Sequence, residues 1–133
     1  MSRAAYRILL VDDDADDRAL CRIVLTSKLA HVDIVEVADA VTFAQACARR
    51  DFDVVILEQR LHWSDGLAVL GSLKELWPEL PVIFFTRHGD EELAVKATRL
   101  GVEHYLPKRP ATFLQLPLAV DAALDRARAR ARP

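Results

Sequence analysis

The sequence predicts an α/β protein built on an open, doubly wound sheet of five parallel strands. Two observations support this prediction. Five short apolar runs alternate strictly with segments of helix length along the 133 residues. Three of these runs are apolar at every position, which is typical of strands buried on both faces of a parallel sheet. Parallel strands are joined by right-handed helical crossovers, so helices are expected on both faces.

The strands follow from these runs in chain order. After Arg7, the first run consists only of β-branched and leucine residues, and the third and fourth runs are likewise apolar throughout. The second and fifth runs are more mixed, with Glu36 in the second and His104 in the fifth. The five predicted strands are Arg7–Val11, Ile34–Val37, Val54–Leu57, Val82–Phe85 and His104–Leu106.

The first helix is predicted to start after Asp14 and to place an apolar stripe of Leu20, Ile23 and Val24 toward the core. Acids at the start of a helix stabilise its positive N-terminal end, which suffices to explain the carboxylates of the first turn. The charged residues expected to lie mostly off the stripe are Asp16, Asp17, Arg18 and Arg22.

Three further helices and a final one complete the pattern. The last helix is predicted to begin between Phe113 and Pro117, because proline is tolerated in a first turn and kinks a helix interior. The three middle helices are predicted at Val41–Arg50, Gly66–Trp77 and Glu91–Leu100.

The bulk properties are those of one compact domain, residues 1–133, with a core of about 6–125 and a basic tail or linker at 126–133. A net charge of -2 makes direct nucleic-acid binding unexpected. Cys21 and Cys47 lack metal or redox spacing and are expected to be small buried side chains in a reducing cytoplasm. No apolar run is long enough for export or membrane spanning, so a membrane partner is not expected.

Chemically active residues follow the predicted strands at the edge where such sheets bind ligands. Asp12 and Asp13 come after the first strand, Glu58 after the third, Thr86 after the fourth and Lys108 after the fifth. Ligand sites of open parallel sheets lie beyond the carboxyl ends of the strands. A cap, a turn or a surface position would explain Glu58, Thr86 or Lys108 alone, but not so readily Asp12 and Asp13. The joint placement of all five residues predicts one pocket.

The chemistry of this pocket suits a divalent metal and a phosphoryl group. Clustered carboxylates repel one another unless a cation intervenes, and hard oxygen ligands favour Mg²⁺. A metal, a lysine and a hydroxyl around one carboxylate would neutralise the oxygens of a transferring phosphoryl group. The histidines are dispersed without ligand spacing, so no metal site is expected on His31, His62, His88 or His104.

Four stretches of the sequence resemble response-regulator receiver domains of two-component signalling. The segments ILLVDDD, DFDVVILEQRLHWSDGL, VIFFT and EHYLPKRP carry the resemblance, which spans Arg7 to about Leu124. The resemblance implies a flavodoxin-like sheet of strand order 2-1-3-4-5 and a role in a phosphorelay. It also implies Mg²⁺ as a possible cofactor, whose binding Glu58 would weaken. By motif position it implies metal binding by Asp12, Asp13, the acceptor position Glu58 and the carbonyl of Arg60, a switch threonine Thr86, a rotating aromatic Tyr105 and a phosphate-binding lysine Lys108.

Two departures from the family pattern bear on function. Glu58 stands where the family has its phosphate-accepting aspartate, and Lys108-Arg109-Pro110 separates lysine from proline by one residue. An extra methylene moves a carboxylate by about 1 Å, and misplacement on that scale costs roughly a hundredfold in rate. The leading hypothesis is therefore a phosphorylation-independent or phosphomimetic pseudo-receiver. A receiver still phosphorylated in the same pocket is the first alternative.

The resemblance implies a signalling module and not an enzyme. Its expected partners are a histidine kinase or phosphotransfer protein, or a fused kinase or output domain. The surface that would respond to the state of the pocket is formed by the fourth helix, the fifth strand and the fifth helix. Homodimerisation through the face of Ala94, Val95 and Tyr105 is possible in such a module.

A small phosphohydrolase of the haloacid dehalogenase type is the alternative from another class. Its signature Asp-x-Asp matches Asp12-x-Asp14, and Thr86 and Lys108 match its later motifs. Against it, the only acids after the lysine, Asp121 and Asp125, fall within the last predicted helix.

Overall fold

The computed structural model describes residues 6–131 and contains five strands and five helices in strict alternation within that range. All strand pairs are parallel, and the sheet order is β2-β1-β3-β4-β5. The predicted fold class is confirmed. The elements are β1 Tyr6–Val11, α1 Ala15–Lys28, β2 Val32–Val37, α2 Ala40–Arg49, β3 Val54–Leu57, α3 Gly66–Leu76, β4 Val82–Thr86, α4 Glu91–Arg99, β5 His104–Pro107 and α5 Pro110–Ala131.

The register of the sheet brings the carboxyl ends of its strands to one edge. In the interior strand β1, Val11 is opposite Val37 of β2 and Leu57 of β3, and Leu57 is in turn opposite Phe84 of β4. Residues that follow β1, β3 and β4 therefore emerge side by side. This edge is the one that the sequence predicts for a ligand site.

The core consists of two layers, one on each face of the sheet. Along β1, Ile8 and Leu10 pack against α1 and α5, whereas Leu9 and Val11 pack into the layer of α2, α3 and α4. All four side chains are buried. Strands covered on both faces need apolar residues at every position, which explains why the runs in the sequence do not alternate.

The predicted apolar stripe of α1 is wrong for Leu20 and Ile23 and confirmed for Val24. Leu20 and Ile23 are 42% and 62% exposed, and the helix is turned so that Arg18 and Arg22 pair with Glu36 of β2. This rotation brings a carboxylate of the first turn inward with the apolar residues. The buried side chains of α1 are Asp17, Cys21, Val24 and Leu25.

The predicted start of the last helix is also wrong, because α5 begins at Pro110 and continues through Pro117. Proline is well suited to a first turn, where its missing N–H has no intrahelical partner. Pro117 removes one bond in the interior, and the burial of Leu116 and Val120 keeps the helix continuous there. The three middle helices end one residue earlier than predicted, at the C-caps Arg50, Trp77 and Leu100.

The basic end of the chain continues α5. Arg126 and Arg130 both pair with Glu103, which precedes β5, at 2.9 and 3.1 Å. Arg132 lies outside the described residues. Cys21 is buried, and Cys47 is half-buried; both are free thiols. No helix in the described range is long and apolar enough to cross a bilayer.

Candidate functional site

The predicted strand-end residues meet in one place. Asp12, Glu58, Thr86 and Lys108 are each at most 6% exposed and form direct contacts with one another. Asp12 and Glu58 line a cavity of about 480 Å³ that opens to solvent, and Thr86 and Lys108 contact them from behind its wall. No buried side-chain nitrogen or oxygen in the described part of the chain lacks a hydrogen-bond partner. The site is therefore a network of charged and hydroxyl groups in which every buried polar side-chain atom has a hydrogen-bond partner.

Lys108 is the centre of this network. Its ammonium nitrogen lies 2.5 Å from Asp12 Oδ2, 2.9 Å from Asp17 Oδ2 and 3.0 Å from Glu58 Oε1. Burial alone would lower the pKa of Lys108, but the charge of Asp12, followed by that of Glu58, outweighs it and raises the pKa. The lysine therefore stays charged throughout the physiological range.

Glu58 is held at both carboxylate oxygens. Oε2 accepts hydrogen bonds from the backbone amides of Gln59 and Arg60, at 2.5 and 3.1 Å, and from the hydroxyl of Thr86. Oε1 accepts from the amide of Arg87 at 3.1 Å and from the Lys108 ammonium. Burial acts to raise the pKa of Glu58, but the charge of Lys108 and the hydrogen bond from Thr86 lower it below its ordinary value. Glu58 is an ionised and fully hydrogen-bonded anion.

Thr86 contacts this anion, and Tyr105 lies against the loop that follows Thr86. The Thr86 hydroxyl donates to Glu58 and accepts from the amide of His88 at 3.0 Å. The Tyr105 ring packs on Phe84 with centroids 6.0 Å apart. A Cβ atom on Gly89 would meet the Tyr105 hydroxyl and, at 3.0 Å, the methyl group of Thr86. The tyrosine is therefore turned inward against the loop that follows Thr86.

The predicted metal ligands are near one another but do not converge. Asp12 faces Lys108 and the amide of Asp14, whereas Asp13 accepts from the amide and ring of His62 and from the Trp63 indole. Within residues 6–131, no three carboxylate, imidazole or thiol groups are arranged to hold a metal ion. The oxygen donors are of the kind that Mg²⁺ prefers, and Asp12, Asp13, Glu58 and Arg60 all line the same cavity.

His62 was expected to be a surface or loop residue without a role in metal binding. Its side chain is largely exposed, yet its Nδ1 lies 2.6 Å from Asp13 Oδ2. The loop after β3 is thus tied to the acid that follows β1. The carbonyl of Arg60, expected as a metal ligand, belongs to the same loop, and Arg60 pairs with Asp65 in a short antiparallel bridge.

Sequence reasoning missed two residues of the site, Asp17 and Arg87. The Asp17 carboxylate is 8% exposed and binds Lys108 and the Arg87 guanidinium, whose Nη2 lies 2.6 Å away. Burial acts to raise the pKa of Asp17, but the hydrogen bonds from Arg87 and Lys108 lower it. A signal existed: Asp17 precedes Cys21 by four residues and Val24 by seven, and a carboxylate on a buried helical face needs a cation.

The phosphohydrolase alternative loses its second aspartate. Asp14 is the N-cap of α1, and its carboxylate accepts from the amide of Asp17 at 3.0 Å. This is the ordinary capping role of an aspartate before a helix. Asp121 and Asp125, the later acids, lie on α5.

Comparison with known proteins agrees with the fold. A family model described as the response regulator receiver domain matches residues 8–117. Regulatory protein LuxO of Vibrio cholerae is 34% identical over 119 residues, covering 89% of this chain and 25% of its own. The C4-dicarboxylate transport transcriptional regulatory protein DctD of Pseudomonas aeruginosa is 35% identical over 125 residues, covering 94% and 25%. The chain thus spans about a quarter of the length of these relatives.

Solved structures give the same result. The receiver domain of a putative LuxO repressor protein from Vibrio parahaemolyticus superposes with a TM-score of 0.84 at 28% identity, covering 95% of each chain. NtrX from Brucella abortus superposes with a TM-score of 0.83 at 34% identity, covering 95% of this chain and 28% of its own. The strand order, the strand-end pocket and these matches agree, and the chain belongs to the response regulator receiver domain family.

Proposed function

We propose that this chain is a pseudo-receiver in which the Glu58 carboxylate takes the place of a phosphorylated aspartate and holds the switch residues without phosphorylation. The observation that carries the proposal is the hydrogen bond from the Thr86 hydroxyl to Glu58, beside an inward Tyr105. In the receiver pattern this threonine follows the phosphoryl group and the aromatic follows the threonine.

The contacts of Glu58 are those that a phosphoryl group would need. Its two oxygens receive an ammonium, a hydroxyl and three backbone amides, and such donors neutralise phosphoryl oxygens. The same contacts weaken Glu58 as a nucleophile, because its lone pairs are engaged and its pKa is lowered, with Lys108 the main cause that opposes burial. The additional methylene also displaces the carboxylate from the position of the family's aspartate.

The face of α4, β5 and α5 is the proposed output surface. Val95 and Leu100 are 49% and 44% exposed there, and Tyr105 joins this face to the pocket. Relatives such as LuxO and DctD carry regulatory protein names and are about four times longer than the matched segment. A fused output or kinase domain, a separate histidine kinase or phosphotransfer protein, or a second copy through Ala94, Val95 and Tyr105 are the proposed partners.

Magnesium has no required part in this proposal. Receiver domains generally bind Mg²⁺ at the phosphorylation site, and the oxygen donors expected for it are present. Here Asp12 is engaged by Lys108, and Asp13 by His62 and Trp63. The ion would have to displace these contacts, so weak Mg²⁺ binding stays a prediction.

The decisive experiment is intact-mass measurement after incubation with Mg²⁺ and acetyl phosphate. We expect no phosphoryl adduct on the unaltered protein or on Glu58→Gln, which keeps the size of the side chain and removes its charge. Glu58→Asp tests whether the surrounding pocket still supports phosphorylation. An adduct that maps to Glu58 in the unaltered protein would overturn the proposal and favour a receiver that is still phosphorylated.

A second readout tests the phosphomimetic role itself. Incorporation of 3-fluorotyrosine gives a ¹⁹F signal for Tyr105. We expect this signal to differ between the unaltered protein and Glu58→Gln, because the neutral amide loses much of its attraction for Lys108 and Thr86. Identical signals would show that Tyr105 does not depend on the charge at position 58.

A further inference from the structure

The Asp17–Arg87 pair is a second feature of the pocket, separate from the acceptor position. Both oxygens of Asp17 receive the Arg87 guanidinium, from Nη2 at 2.6 Å and Nε at 3.3 Å. Paired parallel bonds between arginine and a carboxylate fix geometry as well as charge. Asp17 is itself anchored, because its Oδ2 also accepts from Lys108 at 2.9 Å.

The arginine connects two sides of the pocket. Its backbone amide lies at the end of β4 and donates to Glu58 Oε1, while its guanidinium reaches Asp17 on α1. Arg87 follows β4, Asp17 belongs to the helix that follows β1, and β3 lies between these two strands in the sheet. The Arg87 side chain therefore extends beside the buried contact between Lys108 and Glu58, because Glu58 follows β3.

Exposure indicates which group is outermost. The side chains of Lys108, Asp12 and Glu58 are 0%, 3% and 5% exposed although they belong to a site that opens to solvent. Arg87 is half exposed and lines the same cavity. The Lys108 ammonium is therefore covered, whereas the arginine at the outer side of Asp17 faces the solvent.

We propose that Asp17 and Arg87 form a clasp over the Lys108 ammonium, so that solvent and small ions reach this group only after the Asp17–Arg87 ion pair opens. Lys108 does not line the open cavity, and the Asp17 carboxylate lies between its ammonium and the Arg87 guanidinium. The clasp concerns access to Lys108, so it stands whether or not Glu58 accepts phosphate.

The first test follows hydrogen exchange of the Lys108 ammonium by ¹H–¹⁵N NMR. The chain has four lysines, and Lys74, which donates to the Leu80 carbonyl at 2.7 Å, is an internal reference remote from the pocket. We expect slow exchange at Lys108 in the unaltered protein and exchange at least about tenfold faster in Arg87→Ala. Arg87→Lys should retain part of the protection.

Arg22→Ala is the matched control, because it removes another arginine of a surface ion pair, with Glu36, away from the cavity. Its Lys108 exchange should equal that of the unaltered protein. Equal exchange in Arg87→Ala, or fast exchange in the unaltered protein, would overturn the clasp.

The second test reads access chemically and does not depend on the lysine NMR signal. Brief acetylation with acetic anhydride, mapped by mass spectrometry, should modify the exposed Lys96 equally in every variant. We expect Lys108 to be acetylated at least about tenfold faster when Arg87→Ala or the isosteric Asp17→Asn is introduced. Acetylation of Lys108 at one rate with and without these changes refutes the clasp.

Discussion

The Lys108 ammonium lies 3.0 Å from Glu58 Oε1, and the lysine side chain has no exposed surface. Two further carboxylates, Asp12 and Asp17, contact the same nitrogen. A buried ion pair of this kind adds little to stability compared with an apolar pair, but loss of one partner leaves charges that water cannot reach. The three carboxylates therefore share one buried cation, and Asp17 alone has a second cationic partner, Arg87.

Replacing that cation should destabilise the domain strongly. Lys108→Met leaves three buried carboxylates without their shared partner, and we expect unfolding to become about 3–5 kcal/mol easier at neutral pH. Urea denaturation measures the change. Lys96→Met is the control, because its pair with Glu92 is exposed and should cost less than about 0.5 kcal/mol. Similar losses for the two variants would contradict a central role for Lys108.

The charge of Glu58 should appear in the pH dependence of stability. Its folded pKa is below the ordinary 4.5, because Lys108 and Thr86 outweigh burial. Its contribution is therefore complete above about pH 4.5 and is lost as the pH falls through the folded pKa. We expect the stability difference between the unaltered protein and Glu58→Gln to be largest at pH 7 and to shrink on acidification below pH 4.5.

Asp12 acts in the opposite direction, since burial outweighs Lys108 and raises its pKa. Asp12 is present in both the unaltered protein and Glu58→Gln, so comparing the two at each pH limits the contribution of Asp12 to the difference. Urea titrations at several pH values measure this difference. A constant difference from pH 7 to pH 3 would show that Glu58 is not held as an anion.

Two glycines of α3 provide a matched pair for the packing below the pocket. A Cβ on Gly66 would lie 2.6 Å from Phe84 Cε1 and 2.7 Å from the Glu58 carbonyl oxygen, whereas a Cβ on Gly71 would meet nothing within 4 Å. Gly66→Ala should destabilise the protein by about 1–3 kcal/mol, because backbone cannot move away cheaply. Gly71→Ala should stabilise it by about 0.5–1 kcal/mol through helix propensity. Equal thermal shifts would contradict this difference.

Gly89 should control the position of Tyr105. A Cβ there would overlap the tyrosine hydroxyl, and the flexible ring can swing outward at little cost in stability. Gly89→Ala should therefore shift the ¹⁹F signal of 3-fluorotyrosine at Tyr105 and leave that of Tyr6 in place. Gly71→Ala should move neither signal. An unmoved Tyr105 signal in Gly89→Ala would mean that the ring is not packed inward.

Cys21 should be chemically inert in the native protein. Burial raises its pKa to about 12, so its thiolate is scarce at neutral pH and a reagent cannot reach it. A thiol reagent at pH 8 should label half-buried Cys47 first and Cys21 only as the chain unfolds. Mass mapping of the labelled peptides checks the order, and early labelling of Cys21 would contradict its burial.

Much of the site was determined by local sequence and general topology. Apolar runs without alternation require a sheet covered on both faces, and the carboxyl ends of parallel strands must meet at one edge. Asp12, Glu58, Thr86 and Lys108 directly follow such strands or lie at their ends, so their convergence followed from the alternation of elements alone. That Glu58 stands at the acceptor position in place of aspartate stays a prediction from the surrounding motif.

Only the tertiary structure decided which faces and partners the helices take. The rotation of α1 buried Asp17 and exposed Leu20 and Ile23, because Arg18 and Arg22 found Glu36 on β2. Arg87 pairs with Asp17, which lies 70 positions earlier in the sequence. The rotation of a helix and the pairing of distant charges depend on packing between elements, which a local pattern of apolar and polar residues does not encode.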